Sequence, residues 1–267
     1  RATRRALVTC HVSPDGDAIG SSLALALALL ARGAEVTVWS ADPVPYNYAF
    51  LPAAGTVVQA LPAGAAFDHT YILDLSEASR LGPGFPAAGL GTVVNIDHHA
   101  TGGGLGTVQV RAPDAAATGE LVYYILQALK APVTAAIATN IYCAVLTDTG
   151  SFHYGNSSPA AFAIAGEMVA RGASPWRIAA AMFVVMAVIL NWLGYYVYAP
   201  SRVPTFAWGD RLAGASLGLI WAWGLAGLAM TLTHFALVAS WYTWEAEYEI
   251  ELRVAAQHKS PGAGVNQ

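Results

Sequence analysis

The chain has 267 residues and a formal net charge of −4, which is enough for one large domain or two small ones and leaves no global basic field for gripping nucleic acid. Charge is unevenly spread. Residues 1–178 hold 12 acidic and 9 basic residues, whereas between residues 179 and 244 the only formal charges are Arg202, Asp210 and Arg211.

Residues 6–10 read as a short apolar strand that runs into the turn Pro14-Asp15-Gly16-Asp17. Residues 18–31 are strong helix formers, ended by Arg32-Gly33, and residues 35–39 form the next strand. The loop of this β-α-β unit carries Asp15 and Asp17; it is not G-x-G-x-x-G and has no P-loop lysine, which disfavours a dinucleotide or ATP site. Residues 42–69 read as a loop, a short helix and a weak strand, with Tyr46, Tyr48 and Phe50 as packing residues. Residues 71–76 and 92–96 are the third and fourth clear strands. Gly102-Gly103-Gly104 lacks a following helix and reads as a flexible loop rather than a phosphate cradle. Residues 114–130 and 132–146 are expected to be helical, with Asp114 capping the first and Pro132 in the first turn of the second. Ser157-Ser158-Pro159 opens another helix that ends at Arg171-Gly172, and Ser174-Pro175-Trp176 starts one more. Cys10 and Cys143 lie in apolar runs without zinc-site spacing and read as reduced core thiols.

Four of these segments end in the same chemistry. His11, Asp15 and Asp17 follow the first strand, Asp74 the third, Asp97-His98-His99 the fourth, and Asp148 a helix-like apolar run. Sites in open α/β sheets form outside the carboxyl ends of the strands. Taken singly, Asp15 or Asp17 could cap a helix, Asp148 could sit in a turn, and His69 and His153 could be ordinary polar residues. Taken together, they deliver carboxylates and imidazoles to one place, where burial is costly unless cations neutralise them. Mixed histidine and carboxylate donors without cysteine suit manganese, iron or zinc, and Asp74, alone on its strand, is the natural bridge between two ions.

These segments resemble the motifs of the DHH phosphoesterases. His11-Val12-Ser13-Pro14-Asp15-Gly16-Asp17-Ala18-Ile19-Gly20-Ser21 is similar to the first, Asp74-Leu75-Ser76 to the second, Asp97-His98-His99 to the triplet that names the family, and Thr147-Asp148-Thr149-Gly150-Ser151-Phe152 to the fourth. Ala115-Ala116-Ala117-Thr118-Gly119-Glu120 and Ser157-Ser158-Pro159 resemble the bacterial nanoRNase/pAp-phosphatase branch. The resemblance implies an α/β domain over residues 1–178, a parallel sheet flanked by helices. It implies two divalent metal ions, manganese by analogy. His11 and Asp15 would hold one, Asp17, His98 and Asp148 the other, and Asp74 would bridge them. Asp97 would orient a ligand, His99 would contact the scissile phosphate, and Ser21 and His153 stand as further substrate contacts. His153 occupies a place where that branch usually carries arginine. The implied substrates are short oligoribonucleotides, 3′-phosphoadenosine 5′-phosphate (pAp) and dinucleotides.

Beyond residue 178 nothing resembles the second soluble domain of the family, which carries a glycine-rich motif ending in histidine. Residues 179–199 and 212–244 are long enough and apolar enough for two transmembrane helices, an all-α hairpin with Gly214, Gly218, Gly224 and Gly227 on helix faces. Gly209-Asp210-Arg211-Leu212-Ala213-Gly214 resembles a stretch of the CvpA-like (colicin V production) membrane proteins. A join near residues 179–181 is read as a fusion or a frameshift. Residues 245–267 read as a polar, partly disordered tail. No signal-peptide pattern opens the chain, so the catalytic domain is expected on the cytoplasmic side of a membrane, with a second copy of the chain as a candidate partner; a start at Arg1 rather than Met reads as a fragment. The competing reading is a non-catalytic or truncated fusion whose membrane segment carries the function.

Overall fold

Period-two alternation in the strands decides how the sheet is covered. Six parallel strands, β1 (Arg5–Thr9), β2 (Glu35–Trp39), β3 (Val57–Val58), β4 (His69–Leu73), β5 (Thr92–Asp97) and β6 (Val108–Arg111), form one sheet in the order β3-β2-β1-β4-β5-β6. Ala6 and Val8 of β1, Leu73 of β4 and Ile96 of β5 face the helices α1 (Gly16–Ala31), α2 (Thr118–Ala128), α3 (Ala135–Asp148) and α4 (Pro159–Ala170). Leu7 and Ile72, one residue out of step, face the opposite side, where Trp39, Phe67, Leu75 and Leu81 cover them from neighbouring strands and loops. The computed structural model describes residues 3–102 and 105–182. The expected membrane spans, the tail and Gly103-Gly104 lie outside the described residues, apart from 179–182, which continue a helix from residue 175. Among the described residues no helix is long and apolar enough to cross a membrane.

Helix α1 is the centre of the lobe, buried on almost every side between the sheet and α3. Small residues permit this. A Cβ on Gly20 would stand 2.6 Å from the Asn140 carbonyl oxygen, and one on Gly119 would stand 2.5 Å from Ala144 Cβ. Adding a methyl group at Gly20 therefore overpacks the α1–α3 contact, at a cost of roughly 1–3 kcal/mol.

Two expected helix starts need correction, and one strand was not expected at all. Helix α2 starts at Thr118, not at Asp114, and Asp114 is no cap: Ala115, Ala116 and Ala117 are buried before the helix begins. The reason is tertiary, because the first amides of α2 donate to Asp17 of α1. Helix α3 starts at Ala135 rather than Pro132, because the Thr134 hydroxyl accepts from the Ile137 amide and caps it there. Strand β6 had no signal of its own: four residues with two exposed, recruited by pairing with β5. In residues 42–69 the structure has two short 3-10 turns and the two-residue β3.

Candidate metal centre

The strand order reverses direction between β1 and β4, and the site lies at the carboxyl ends of that pair and of β5. β1 leads to His11 and the Asp15 turn, β4 to Asp74, and β5 to Asp97 and His98. The C-terminal end of α3 adds Asp148. Three groups of donor atoms converge, each within 4.8 Å: His11, Asp15 and Asp74; Asp17, His98 and Asp148; and Asp74, His98 and His99. The six residues expected to hold metal thus share one cluster.

Backbone contacts fix the histidine tautomers. The Nδ1–H of His11 donates to the Val12 carbonyl at 2.7 Å, and the Nδ1–H of His98 donates to the Ala115 carbonyl at 3.1 Å. In the neutral ring each Nε2 then carries a lone pair. His11 Nε2 is 3.4 Å from Asp74 Oδ2, and His98 Nε2 is 3.6 Å from Asp74 Oδ1 and 3.5 Å from Asp148 Oδ2. A lone pair aimed at a carboxylate repels it unless a proton or a metal cation stands between them. Two ligands each about 2.1 Å from one ion stand roughly 3–3.5 Å apart, so the spacing fits shared cations. The two oxygens of Asp74 serve the two sides of the cluster separately, one toward His11 and the other toward His98.

Crowding and burial penalise the charges of these carboxylates, which makes the set cation-demanding. Asp17 is fully buried, and its oxygens accept from the Thr118 amide at 2.6 Å and the Gly119 amide at 2.9 Å. Burial, with the charges of Asp74 and Asp148, still raises its pKa well above the usual carboxylate value. Asp148 is raised too, by burial first. For Asp74 burial opposes ionisation, but the hydrogen bond and charge of His11, with His98 and His99, outweigh it and the pKa falls. His11 titrates above its ordinary value, because Asp74 and the Val12 carbonyl outweigh the effect of burial. Asp74 also adopts φ +56°, a strained setting at the end of β4 that its amide stabilises by donating to the Ile96 carbonyl.

His99 stands at the open face with its side chain 37% exposed. Its Nδ1 donates to Asp97 Oδ1 at 2.6 Å, which leaves Nε2 for a ligand; that hydrogen bond is the main reason its pKa rises. Asp97 is fully buried, in keeping with an orienting role. Asp15 caps α1 through the Ala18 amide while its carboxylate also faces His11. His153 is exposed in the loop after α3, with Nδ1 bonded to the Gly150 and Ser151 carbonyls, and is outside the cluster. Ser21, expected at the substrate, is a correction: it is fully buried in α1 and its hydroxyl donates to the Ala18 carbonyl.

Residues not singled out as site residues from the sequence complete the shell. Thr118 Oγ1 donates to Asp74 Oδ1 at 3.1 Å, and Asn156 Nδ2 donates to the Asp148 carboxylate at 3.4 Å. Asn156 carries no motif signal, because its contact is made by a loop folding back. Thr118 lay inside a noted motif, and only the packing of α2 on α1 shows what it touches.

Comparison with known proteins gives consistent findings. Residues 5–145 match the sequence profile described as DHH family, N-terminal domain. A bifunctional oligoribonuclease and PAP phosphatase of Thermus thermophilus is 42% identical over 168 residues, covering 62% of this chain and 49% of that protein. The chain thus spans about half the length of that curated relative. The crystal structure of an exopolyphosphatase-related protein from Bacteroides fragilis superposes with a TM-score of 0.64 and 25% identity, covering 68% of this chain and 56% of that one.

Proposed function

The chain belongs to the DHH family, and on that premise we propose that it is a two-metal phosphoesterase of small nucleotides: short oligoribonucleotides, pAp or dinucleotides. The carrying observation is the pair of donor groups joined by Asp74, with the lone pairs of His11 and His98 fixed inward by backbone carbonyls. Divalent cations, manganese in this proposal, would be held by His11, Asp15 and Asp74 on one side and by Asp17, His98, Asp148 and Asp74 on the other; when bound they neutralise the carboxylates, polarise phosphoryl oxygens and lower the pKa of water. Thr118 and the first amides of α2 hold Asp74 and Asp17 in place while charge shifts. His99, kept protonated to higher pH by Asp97, presents Nε2–H to a phosphate oxygen. His153 is proposed as an outer phosphate contact from the loop beside Asp148. The substrate class is supported by the Thermus thermophilus relative.

We also propose that residues 179–199 and 212–244 tether the domain to a membrane, with the catalytic lobe cytoplasmic and a second copy of the chain as a candidate partner. The composition break after residue 178 supports the tether. The likeness of residues 209–214 to CvpA-like proteins belongs to the same proposal. The test is manganese-dependent hydrolysis by the full chain of a generic phosphodiester, pAp and a dinucleotide, with Asp74→Ala as control. Turnover lost in that variant supports the reading. Equal turnover in wild type and variant, or none in either, would sink it and move the non-catalytic fusion ahead.

A further inference from the structure

Arg111 ends β6 at the edge of the sheet, and its guanidinium holds the backbone that follows Asp97-His98-His99. NH2 donates to the His99 carbonyl at 2.6 Å and to the Thr101 carbonyl at 3.0 Å, and NH1 donates to the Gly102 carbonyl at 2.7 Å. Three carbonyls of one short loop therefore turn toward one cation. On its other side Arg111 Nε stands 3.9 Å from Asp97 Oδ2, and among the described residues neither of these two buried atoms has a hydrogen-bond partner. The other oxygen of Asp97 is the one that holds His99 Nδ1. Arg111 thus meets the segment bearing His99 at two points, the carbonyl of His99 itself and the carboxylate that orients its ring.

The far end of that loop is equally constrained. Gly102 has φ +81°, and a Cβ there would stand 2.6 Å from Ser76 Cβ, in the turn after Asp74. A shift of the loop would therefore press on the turn that follows the bridging carboxylate. Three of the five N–H donors of Arg111 go to these carbonyls, so the guanidinium is committed chiefly to the loop. A lysine would carry the same charge, but its single ammonium cannot span three carbonyls in the plane of a fork.

We propose that Arg111 is a positioning residue for phosphoester hydrolysis: it fixes the backbone of residues 99–102 and braces Asp97, so that His99 Nε2 is aimed at the open face. The inference rests on the phosphoesterase reading above. The test uses the full chain with Arg111→Ala and Arg111→Lys. Both variants are expected to lose about tenfold or more in kcat while KM and manganese affinity stay within about twofold of wild type. Added guanidinium ion should restore part of the loss in Arg111→Ala and none in Arg111→Lys.

A second readout needs no turnover. In the metal-free protein the His99 Nδ1 proton, held by Asp97, should give a downfield proton resonance, identified by its absence in His99→Gln. That resonance should broaden beyond detection in Arg111→Ala. A sharp resonance with unchanged kcat overturns the inference. So does a parallel fall in kcat, metal affinity and thermal stability without guanidinium rescue, which would make Arg111 a structural tie only. If wild type turns over no phosphoester, the functional reading fails on its own account. The resonance then decides Arg111, and its persistence in Arg111→Ala overturns the proposal.

Discussion

The inner and outer halves of the cluster are built differently. On the inner side, Asp17, Asp74 and His11 are buried and each is held by backbone or by a neighbouring helix: Asp17 by two amides of α2, Asp74 by Thr118, and His11 by the Val12 carbonyl. On the outer side, Asp15, Asp148 and His99 have side chains 54%, 27% and 37% exposed. A donor set fixed before any ion arrives loses little side-chain entropy on binding, whereas exposed donors are free to adjust to a ligand. The inner half is therefore expected to set affinity, and the outer half to meet substrate.

The most severe way to break this contrast is Asp17→Ala. It removes a buried donor and strands two amides, and should cost more manganese affinity than the roughly 100-fold at the upper end for an outer-shell partner. Asp15→Ala, at the rim, should cost less than Asp17→Ala. Titration calorimetry on both variants checks the ranking, and equal losses would erase the distinction. Next in size is Thr118→Val, which keeps the shape of the side chain but deletes its hydrogen bond to Asp74. It should weaken manganese binding roughly tenfold without unfolding the protein.

A pH series sharpens the comparison further. His11 and His99 have raised pKa values in the folded protein, so the stability they contribute is full below about 6.5 and is lost as pH rises through their folded values. Asp17 and Asp148 are also raised, so they favour the folded state when protonated and cost stability as pH climbs through their folded values. Among the clustered groups with a shift, Asp74 alone is lowered and acts in the opposite sense. The metal-free protein should thus lose thermal stability as pH rises from 5.5 to 8, a range taken as roughly the span in which histidines titrate. Manganese should flatten that slope, because ion binding replaces the protons. Thermal melts with and without chelator measure it, and a metal-free slope of opposite sign would contradict the assignment.

The smallest effect concerns the thiols beneath the site. Burial raises both Cys10 and Cys143 to about 12. Neither should react with a thiol-specific disulfide reagent in the folded protein at mildly alkaline pH, and both should react once it is unfolded.

The sequence carries the cluster unusually well because most of the donors follow the end of an apolar run, so the chemistry is marked by local patterns. His11, Asp74, Asp97 and His98 could be placed from strand periodicity alone. What it hides are contacts between distant segments. Asp17 acts as the missing cap of α2 across more than 100 residues of sequence. Helix propensity therefore placed the start of α2 too early, in residues 114–117, which the structure leaves in a turn that runs into an extended Ala117. Arg111 gave no signal because β6 exists only by pairing with β5, and its guanidinium contacts are with carbonyls, which carry no residue identity. Ser21 was misplaced for the opposite reason: it lies close in sequence to the ligands, yet it sits one turn along α1 from Asp17, where the helix is wholly buried.

The central claim is that Asp74 joins two cation sites into one. Electron paramagnetic resonance of the manganese-loaded full chain tests it most directly, together with a count of bound ions. The expected result is two manganese ions per chain with an exchange-coupled spectrum in wild type, replaced in Asp74→Ala by uncoupled signals or weaker binding. A single ion per chain, or two ions without coupling in wild type, would contradict it.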